Sequence, residues 1–165
     1  MRAEESGDVL AAITEKLKDL KVGDPTYADT AMGPLSGDRA EKRFLKVAEE
    51  NMQYLAHGEK KVKCEADGRY YVPLLLTGFD TEDEMLYEDK GVPMIIIRPY
   101  AKMDDLLQEL SETDCGMSVG VLSTDSKTVS AVKKFASEEN LDVWGNEGSV
   151  RLMVNPRMRA EDFRK

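Results

Sequence analysis

Apolar residues recur at the spacing of one helical face in two stretches near the start of the chain. The first predicted helix lies between Ser6, a candidate N-cap, and a break at residues 23–25, where the sequence reads GDP. Its apolar face consists of Val9, Ile13, Leu17 and Leu20. The second predicted helix follows Ser36 and ends at Gly58, a residue type that favours helix C-termini. Its apolar face consists of Phe44, Val47, Ala48, Met52 and Leu55.

Strands and helices are predicted to alternate along the rest of the sequence. Residues 61–64 and 70–79 read as strands, and Pro73 places the second of them at a sheet edge or at a bulge. The run MIIIRPY (94–100) is apolar at nearly every position, as in a strand covered by helices on both faces. The later predicted helices are 103–110 and 126–138, and the later strands are 117–123, 141–144 and 150–154. This order predicts one α/β domain with parallel strands.

The chain of 165 residues has a net charge of −9, which argues against nucleic acid and anionic membrane surfaces as partners, because both would repel it. No apolar run approaches the ~20 residues that span a bilayer. Residues 1–20 are too charged for a signal peptide. Cys64 and Cys115 have neither a disulfide nor a zinc-site spacing. These features predict a protein of the reducing cytoplasm.

The adjacent carboxylates Glu88 and Asp89 are the first candidates for chemistry, since they precede Gly91 and an apolar strand. Such a group can act as a general base or bind a ribose. Neighbouring residues of an extended chain point to opposite sides, so at most one of the two serves a given pocket. The alternative is a solvated acidic loop, which the acidic run at residues 81–84 favours.

The other candidates for catalysis are isolated residues. His57 is the only histidine, which excludes a histidine-based metal cluster, and it falls near the predicted end of the second helix. Cys115 follows Asp114, a neighbour that does not favour a reactive thiolate, and Cys64 is expected to be a small buried apolar residue. The glycines form no phosphate-binding motif. Basic residues alternate with acids on the helices, which is typical of solvated faces.

Five segments, in order, resemble motifs of the aldehyde dehydrogenase superfamily. KVGDPTYADTAMGPLS (21–36) resembles the family's GDP and GP stretch, and EDKGVPMIIIRPY (88–100) resembles its EEiFGP motif. The other three are DGRYYVPLLLTGFD (67–80), AKMDDLLQELSETDCGMSVGVLSTD (101–125) and SVRLMVN (149–155). Residues 1–155 therefore resemble a portion of the family's catalytic domain, and 156–165 are left as a C-terminal tail.

The resemblance implies a three-layer α/β sheet with mostly parallel strands. In the family, the NAD or NADP domain, the catalytic cysteine, the general base and the oxyanion asparagine all come earlier than these motifs. The resemblance thus implies no catalytic residue, no metal site and no cofactor for this chain alone. Cys115 corresponds to a position before the family's GL pair and not to the nucleophile.

The resemblance also implies roles for the residues of the EDKGVP segment. Glu88 and Asp89 correspond to two family glutamates, the second of which holds the nicotinamide ribose, so Asp89 is a vestigial ribose-binding position. Gly91 stands where the family has a phenylalanine that contacts the nicotinamide end of the cofactor. Pro93 is kept. We therefore expect a cofactor motif that has lost its nicotinamide site.

Three functions remain open at this point. The first is a non-catalytic, aldehyde-dehydrogenase-like domain. The second is one half of a split enzyme, completed by a partner chain that carries the NAD(P) domain and the catalytic cysteine. The third is an interaction module that forms a homo-oligomer or regulates a relative through the predicted edge strand at 150–154.

Overall fold

The computed structural model describes residues 3–87, 90–112 and 118–145. The helices in these ranges are α1 Ser6–Lys18, α2 Asp38–Glu50, α3 Met103–Glu112 and α4 Ser126–Glu138. The strands are β1 Leu55–His57, β2 Leu74–Thr77, β3 Met94–Ile97, β4 Ser118–Val121 and β5 Asp142–Gly145. None of these helices has the length and apolar content that a bilayer crossing needs. The chain divides into two compact units, Met1–Ala101 and Lys102–Lys165, and each is described by itself.

The first unit is built around β2, which pairs antiparallel with β1 and parallel with β3. Side chains alternate between the two faces of a strand. Leu74 and Leu76 belong to a buried cluster with Phe44 of α2, whereas Leu75 packs with Leu17 of α1. All three leucines of β2 are fully buried. A helix thus packs on each face of the sheet, which gives this unit the predicted three layers.

The second unit joins β4 and β5 as a parallel pair, with α3 and α4 in contact beside them. Its core consists of Val121, Val132, Ala136 and Val143. Asp125 caps the N-terminus of α4, because its carboxylate accepts hydrogen bonds from the backbone N–H groups of Lys127 and Thr128, both at 3.2 Å.

The predicted α/β class is confirmed, and most pairs of neighbouring strands are parallel. The helix at 126–138 has its predicted bounds, and the helix from 103 runs two residues further than expected. The run 94–100 contains a strand only over Met94–Ile97, where Ile97 is buried but Ile95 is 39% exposed. The strand predicted at 150–154 and the tail at 156–165 lie outside the described residues.

The prediction for the second helix is wrong at its C-terminus. The helix stops at Glu50, and both the backbone N–H and the side-chain amide of Asn51 donate to the Val47 carbonyl, at 3.2 and 2.9 Å. The chain then turns into β1, so His57 lies in a strand and not at a helix end. Gly58 follows that strand and is not a helix C-cap.

Two predictions about the following strands are also wrong. Pro73 directly precedes β2, which is the central strand of its sheet and not an edge, and the register irregularity of the β1–β2 ladder lies between Leu55 and His57 on β1. The lack of an N–H at Pro73 is tolerated because the ladder to β3 begins one residue later, where Leu74 N donates to Pro93 O at 3.0 Å. Residues 61–64 contribute only the isolated bridge between Lys61 and Tyr71.

The predicted side-chain cap of the first helix is absent. Ser6 is the first residue of α1, and its hydroxyl donates back to the Ala3 carbonyl at 2.8 Å. The second helix follows Ser36 as predicted, with Gly37 as its N-cap.

Candidate functional site

The residues singled out by sequence do not come together in one described site. Glu88, Asp89 and Cys115 lie outside the described residues. Of the others, Gly91 lies in the turn before β3, and Cys64 borders a separate cavity. Across the described part of the chain, no three acidic, histidine or cysteine side chains gather as metal ligands.

Gly91 adopts a backbone conformation that favours glycine. Its φ is +59°, in the left-handed region, where a phenylalanine would be strained. A Cβ at this position would lie 2.6 Å from Nη1 of Arg43. The space beside Gly91 is therefore occupied by the end of a basic side chain from α2.

An open cavity of about 340 Å³ adjoins this turn, and we call it the basic groove. Its lining residues are Arg43, Lys46, Val47, Glu50, Met85 and Lys90. The first two are three residues apart on α2, which places them on one helical face. Glu50 is the only acid in the lining, and its carboxylate is 3.5 Å from the ammonium of Lys46. Three of the six lining side chains are therefore basic.

The floor of the basic groove is held by neighbouring polar contacts. Met85 N donates to the Asp83 carboxylate at 2.9 Å, and the Met85 sulfur lies 3.8 Å from the Asn51 side-chain nitrogen. Val47 is buried in the core cluster of α2. Met85 and Val47 thus form an apolar floor that these contacts hold in place, whereas the side chains of Arg43 and Lys46 are exposed.

A second constellation is centred on the Glu41 carboxylate. It accepts hydrogen bonds from the Tyr71 hydroxyl at 2.7 Å, the Lys61 ammonium at 3.2 Å and Arg69 Nε at 3.1 Å. Arg69 also pairs with Asp38 at the first turn of α2. These contacts join α2 to the isolated bridge between Lys61 and Tyr71.

The ionisation of this constellation is shifted by the same contacts. The hydrogen bond from Tyr71 lowers the pKa of Glu41, and Lys61 adds to the effect. Conversely, the hydrogen bond to Glu41 raises the pKa of both Tyr71 and Lys61. All three groups are therefore held in their ordinary charge states at neutral pH, which suits a structural brace better than proton transfer.

Cys64 borders another open cavity of about 340 Å³, formed with the GDP loop. Burial raises the pKa of the neighbouring Tyr70 phenol, and its hydrogen bond with Cys64 raises it further. Tyr70 is 2% exposed, whereas Cys64 is only partly buried and lines the open cavity, so the prediction of a buried apolar residue at this position is wrong. The residues of this cavity and those of the basic groove do not overlap.

The basic groove was not predicted from the sequence. Arg43 and Lys46 stand in the run DRAEKRFLK, where alternating charges indicate only a solvated face. The missing information is tertiary, because the groove forms only when Met85 and Lys90 lie against α2. The spacing of three between the two cations was the one local signal.

Comparison with known proteins gives a consistent result. The model of the aldehyde dehydrogenase family matches residues 3–155. A 3-sulfolactaldehyde dehydrogenase of Priestia megaterium is 24% identical over 117 residues, which are 68% of this chain and 23% of that protein. Aminoaldehyde dehydrogenase 2 of Solanum lycopersicum is 25% identical over 119 residues, 70% of this chain and 24% of that protein. The chain thus spans about a quarter of the length of these relatives.

Solved structures show the same fold. A betaine aldehyde dehydrogenase of Staphylococcus aureus in complex with NAD+ matches with a TM-score of 0.76 at 20% identity, over 88% of this chain and 29% of that one. An aldehyde dehydrogenase of Bacillus cereus, also an NAD+ complex, matches with a TM-score of 0.74 at 19% identity, over 88% and 29%.

Proposed function

Because the chain belongs to the aldehyde dehydrogenase family, we propose that these residues form a portion of its catalytic fold that does not oxidise aldehydes by itself. The proposal concerns the polypeptide of 165 residues as a separate molecule. The proposal is compatible with a folded chain, because side chains of α1 and α2 pack on opposite faces of β2.

The proposal rests mainly on the backbone conformation of Gly91 and on the side chain next to it. A nicotinamide ring needs an apolar wall, and the resemblance assigns that wall to a phenylalanine at this position. Here the residue is glycine with φ +59°, and the guanidinium of Arg43 lies next to it. A cationic group beside the ring position disfavours NAD+ and NADP+, whose nicotinamide ring is itself positively charged.

The thiols of the chain fit the same proposal. Cys64 contacts Tyr70 and borders the cavity of the GDP loop, away from the lining of the basic groove. Cys115 corresponds by resemblance to a position other than the nucleophile. We propose no catalytic or metal-binding residue for this chain, and no bound cofactor when it is alone.

A titration with NAD+ and NADP+ tests the loss of the cofactor site. Trp144 is the only tryptophan, so quenching of its fluorescence can be corroborated by calorimetry on the same samples. We expect no saturable signal up to millimolar nucleotide. The NAD+-binding betaine aldehyde dehydrogenase of Staphylococcus aureus serves as the positive control. Saturable binding in the micromolar range would contradict the proposal.

The second candidate is one half of a two-chain enzyme. It is favoured by the coverage of the relatives, since the chain matches only 23% to 24% of their length and the cofactor-binding part would come from elsewhere. Co-purification with the remaining portion of such a relative, followed by an assay with NAD+ and an aldehyde, tests it. Activity of the pair that neither chain has alone would support the split enzyme, and a complex without activity would refute it.

Cytoplasmic location and self-association stay predictions. The location rests on the composition alone, and homo-oligomer formation was predicted from a strand outside the described residues.

A further inference from the structure

Asp67 and Gly68 form the only Asp-Gly pair in the sequence. Both residues are exposed and lie in an irregular segment between Lys61 and Tyr71, the two partners of the isolated bridge. Glycine has no side chain to shield its backbone nitrogen, and its backbone is less restricted than that of any other residue. The nitrogen of a glycine can therefore reach the carboxyl carbon of a preceding aspartate and close a five-membered ring.

The backbone around this pair is held at its two ends and not between them. Upstream, the Val62 N–H donates to the Tyr70 carbonyl at 2.8 Å, and downstream the Arg69 carbonyl accepts from the Leu35 N–H at 2.9 Å. Within the described part of the chain, no backbone group of residues 63–68 makes a hydrogen bond. A segment with so few backbone contacts opens locally at a low cost in free energy.

The two reacting groups of the pair are also free. Among the described residues, neither the Asp67 carboxylate nor the Gly68 N–H takes part in a hydrogen bond or an ion pair. The carboxylates of Asp83 and Asp125, by contrast, accept hydrogen bonds from backbone N–H groups at 2.9 and 3.2 Å. Those two carboxylates must leave a partner before they can react, whereas the carboxylate of Asp67 has none to leave.

From this arrangement we infer that Asp67 and Gly68 are a site of spontaneous isomerisation to isoaspartate. The Gly68 nitrogen attacks the carboxyl carbon of Asp67, a C–N bond forms, and the carboxyl hydroxyl leaves with the amide proton as water. Water then adds to one carbonyl of the cyclic imide and breaks its C–N bond. Attack at the former side-chain carbonyl restores aspartate, and attack at the main-chain carbonyl gives isoaspartate. One water is lost and one is regained, so mass and oxidation state are unchanged.

The isomerised chain would pack differently, because Gly68 lies in close contact with its neighbours. A Cβ on Gly68 would lie 2.7 Å from Cε2 of Tyr70 and 3.0 Å from Cβ of Pro34. The isoaspartyl link adds one carbon to the main chain directly before this contact. The next residue is Arg69, whose Nε donates to the Glu41 carboxylate of α2 at 3.1 Å. We therefore expect the isoaspartyl form to be less stable than the native chain.

Ageing of the intact chain tests the site. The purified protein is kept for several weeks at neutral pH and physiological temperature and is then digested. Isoaspartate is detected by enzymatic methylation of its carboxylate and located by mass spectrometry with electron-based fragmentation. An unaged sample, digested in the same way, corrects for isomerisation during handling. We expect isoaspartate to accumulate at residue 67 and not at Asp83 or Asp125.

A synthetic peptide of residues 60–74, aged in parallel, reports the reaction without the fold. We expect the folded chain to isomerise as the peptide does, since no hydrogen bond of the described residues restrains the reacting groups. If the peptide isomerises while the folded chain stays at the level of the unaged sample, the fold protects the pair and the inference is overturned.

Two substitutions at the same exposed position assign the chemistry. Asp67→Glu keeps the charge but would need a less favourable six-membered ring, so the isoaspartate signal should be lost. Asp67→Asn forms the same imide with ammonia as the leaving group, and it should gain the mass difference between an amide and an acid. A methylation signal in Asp67→Glu equal to that of the wild type would overturn the assignment. Gly68→Ala is less suitable, because its Cβ would meet the Tyr70 ring.

Thermal unfolding of the separated forms tests the effect on packing. The aspartate and isoaspartate forms of the aged wild type are resolved by ion-exchange chromatography, and we expect a lower midpoint for the isoaspartate form. Equal midpoints would overturn the expected loss of stability. None of these measurements involves a nucleotide or an aldehyde. Failure of this inference therefore leaves the proposed function standing, and nucleotide binding in the earlier titration would refute only the latter.

Discussion

Three side chains of the first unit donate to the Glu41 carboxylate. Glu41→Gln keeps the shape of the side chain but removes the charge that holds Lys61, Arg69 and the Tyr71 hydroxyl. We expect a lower midpoint of thermal unfolding at neutral pH. Glu49→Gln, an exposed position on the same helix, should leave the midpoint nearly unchanged. Equal midpoints for the two variants would show that the brace does not stabilise the fold.

The difference in stability between the wild type and Glu41→Gln should depend on pH, because the pKa of Glu41 is lowered in the folded chain. Its contribution to stability is present above the unfolded value of about 4.3 and is lost as the pH falls through the lower folded value. Urea unfolding of the wild type and Glu41→Gln should therefore differ at neutral pH and converge in acid. A difference that grows on acidification would contradict the assigned direction.

The folded structure shows why residue 58 must be glycine, which the sequence alone does not show. Its φ is +113°, and a Cβ would lie 2.2 Å from the Pro73 carbonyl oxygen. Gly58→Ala should cost more than about 2 kcal/mol of unfolding free energy, since both the backbone and the close contact are strained. Gly7→Ala, in α1 with nothing within 4 Å of the added carbon, should be neutral or stabilising by up to about 1 kcal/mol. Denaturant unfolding of both variants measures this contrast.

At the scale of elements, α4 offers the cleanest test of a cap. The Asp125 carboxylate accepts from the backbone of Lys127 and Thr128 and from the Thr128 hydroxyl at 2.6 Å. Asp125→Ala should lower the unfolding free energy by about 1 kcal/mol, and Asp125→Ser should recover part of the loss. If alanine and serine are equivalent in urea unfolding, the cap does not act through its side-chain acceptor.

The elements also show what sequence patterns capture. The bounds of α4 were predictable because an aspartate cap and a regular apolar face agree. The end of α2 was not, since Met52 and Leu55 continue the helical spacing although the chain leaves the helix at Asn51. The chain instead turns after Asn51, and β1 pairs with the buried strand β2. This pairing overrides the local helical pattern. Long-range pairing of this kind leaves no local signal.

For the candidate site, too, some features follow from the sequence and others do not. The roles given to Gly91 and the EDKGVP motif come from the resemblance and stay predictions. The basic groove depends on side chains of α2 meeting Met85 and Lys90, which are far from it in sequence, and no periodicity predicts this. The position of Cys64 beside Tyr70 and the GDP loop likewise follows from tertiary packing.

At the scale of the whole molecule, the chain has the fold of the aldehyde dehydrogenase family. The core of the first unit is fully packed around β2, with Leu74, Leu75 and Leu76 buried. Phe44→Ala, in the same core, should therefore destabilise the unit by about 3 to 5 kcal/mol, as measured by denaturant unfolding. A cost below about 1 kcal/mol would show that this core is loosely packed.

The central claim is that this intact, folded chain does not oxidise aldehydes alone. The most direct measurement follows NADH or NADPH formation by the purified 165-residue chain with each nucleotide and a set of aliphatic, amino and sulfonated aldehydes. The account predicts no formation above the rate without protein, for the wild type and for Cys64→Ser and Cys115→Ser alike. Nucleotide reduction that scales with wild-type protein concentration and is abolished by either cysteine substitution would contradict it.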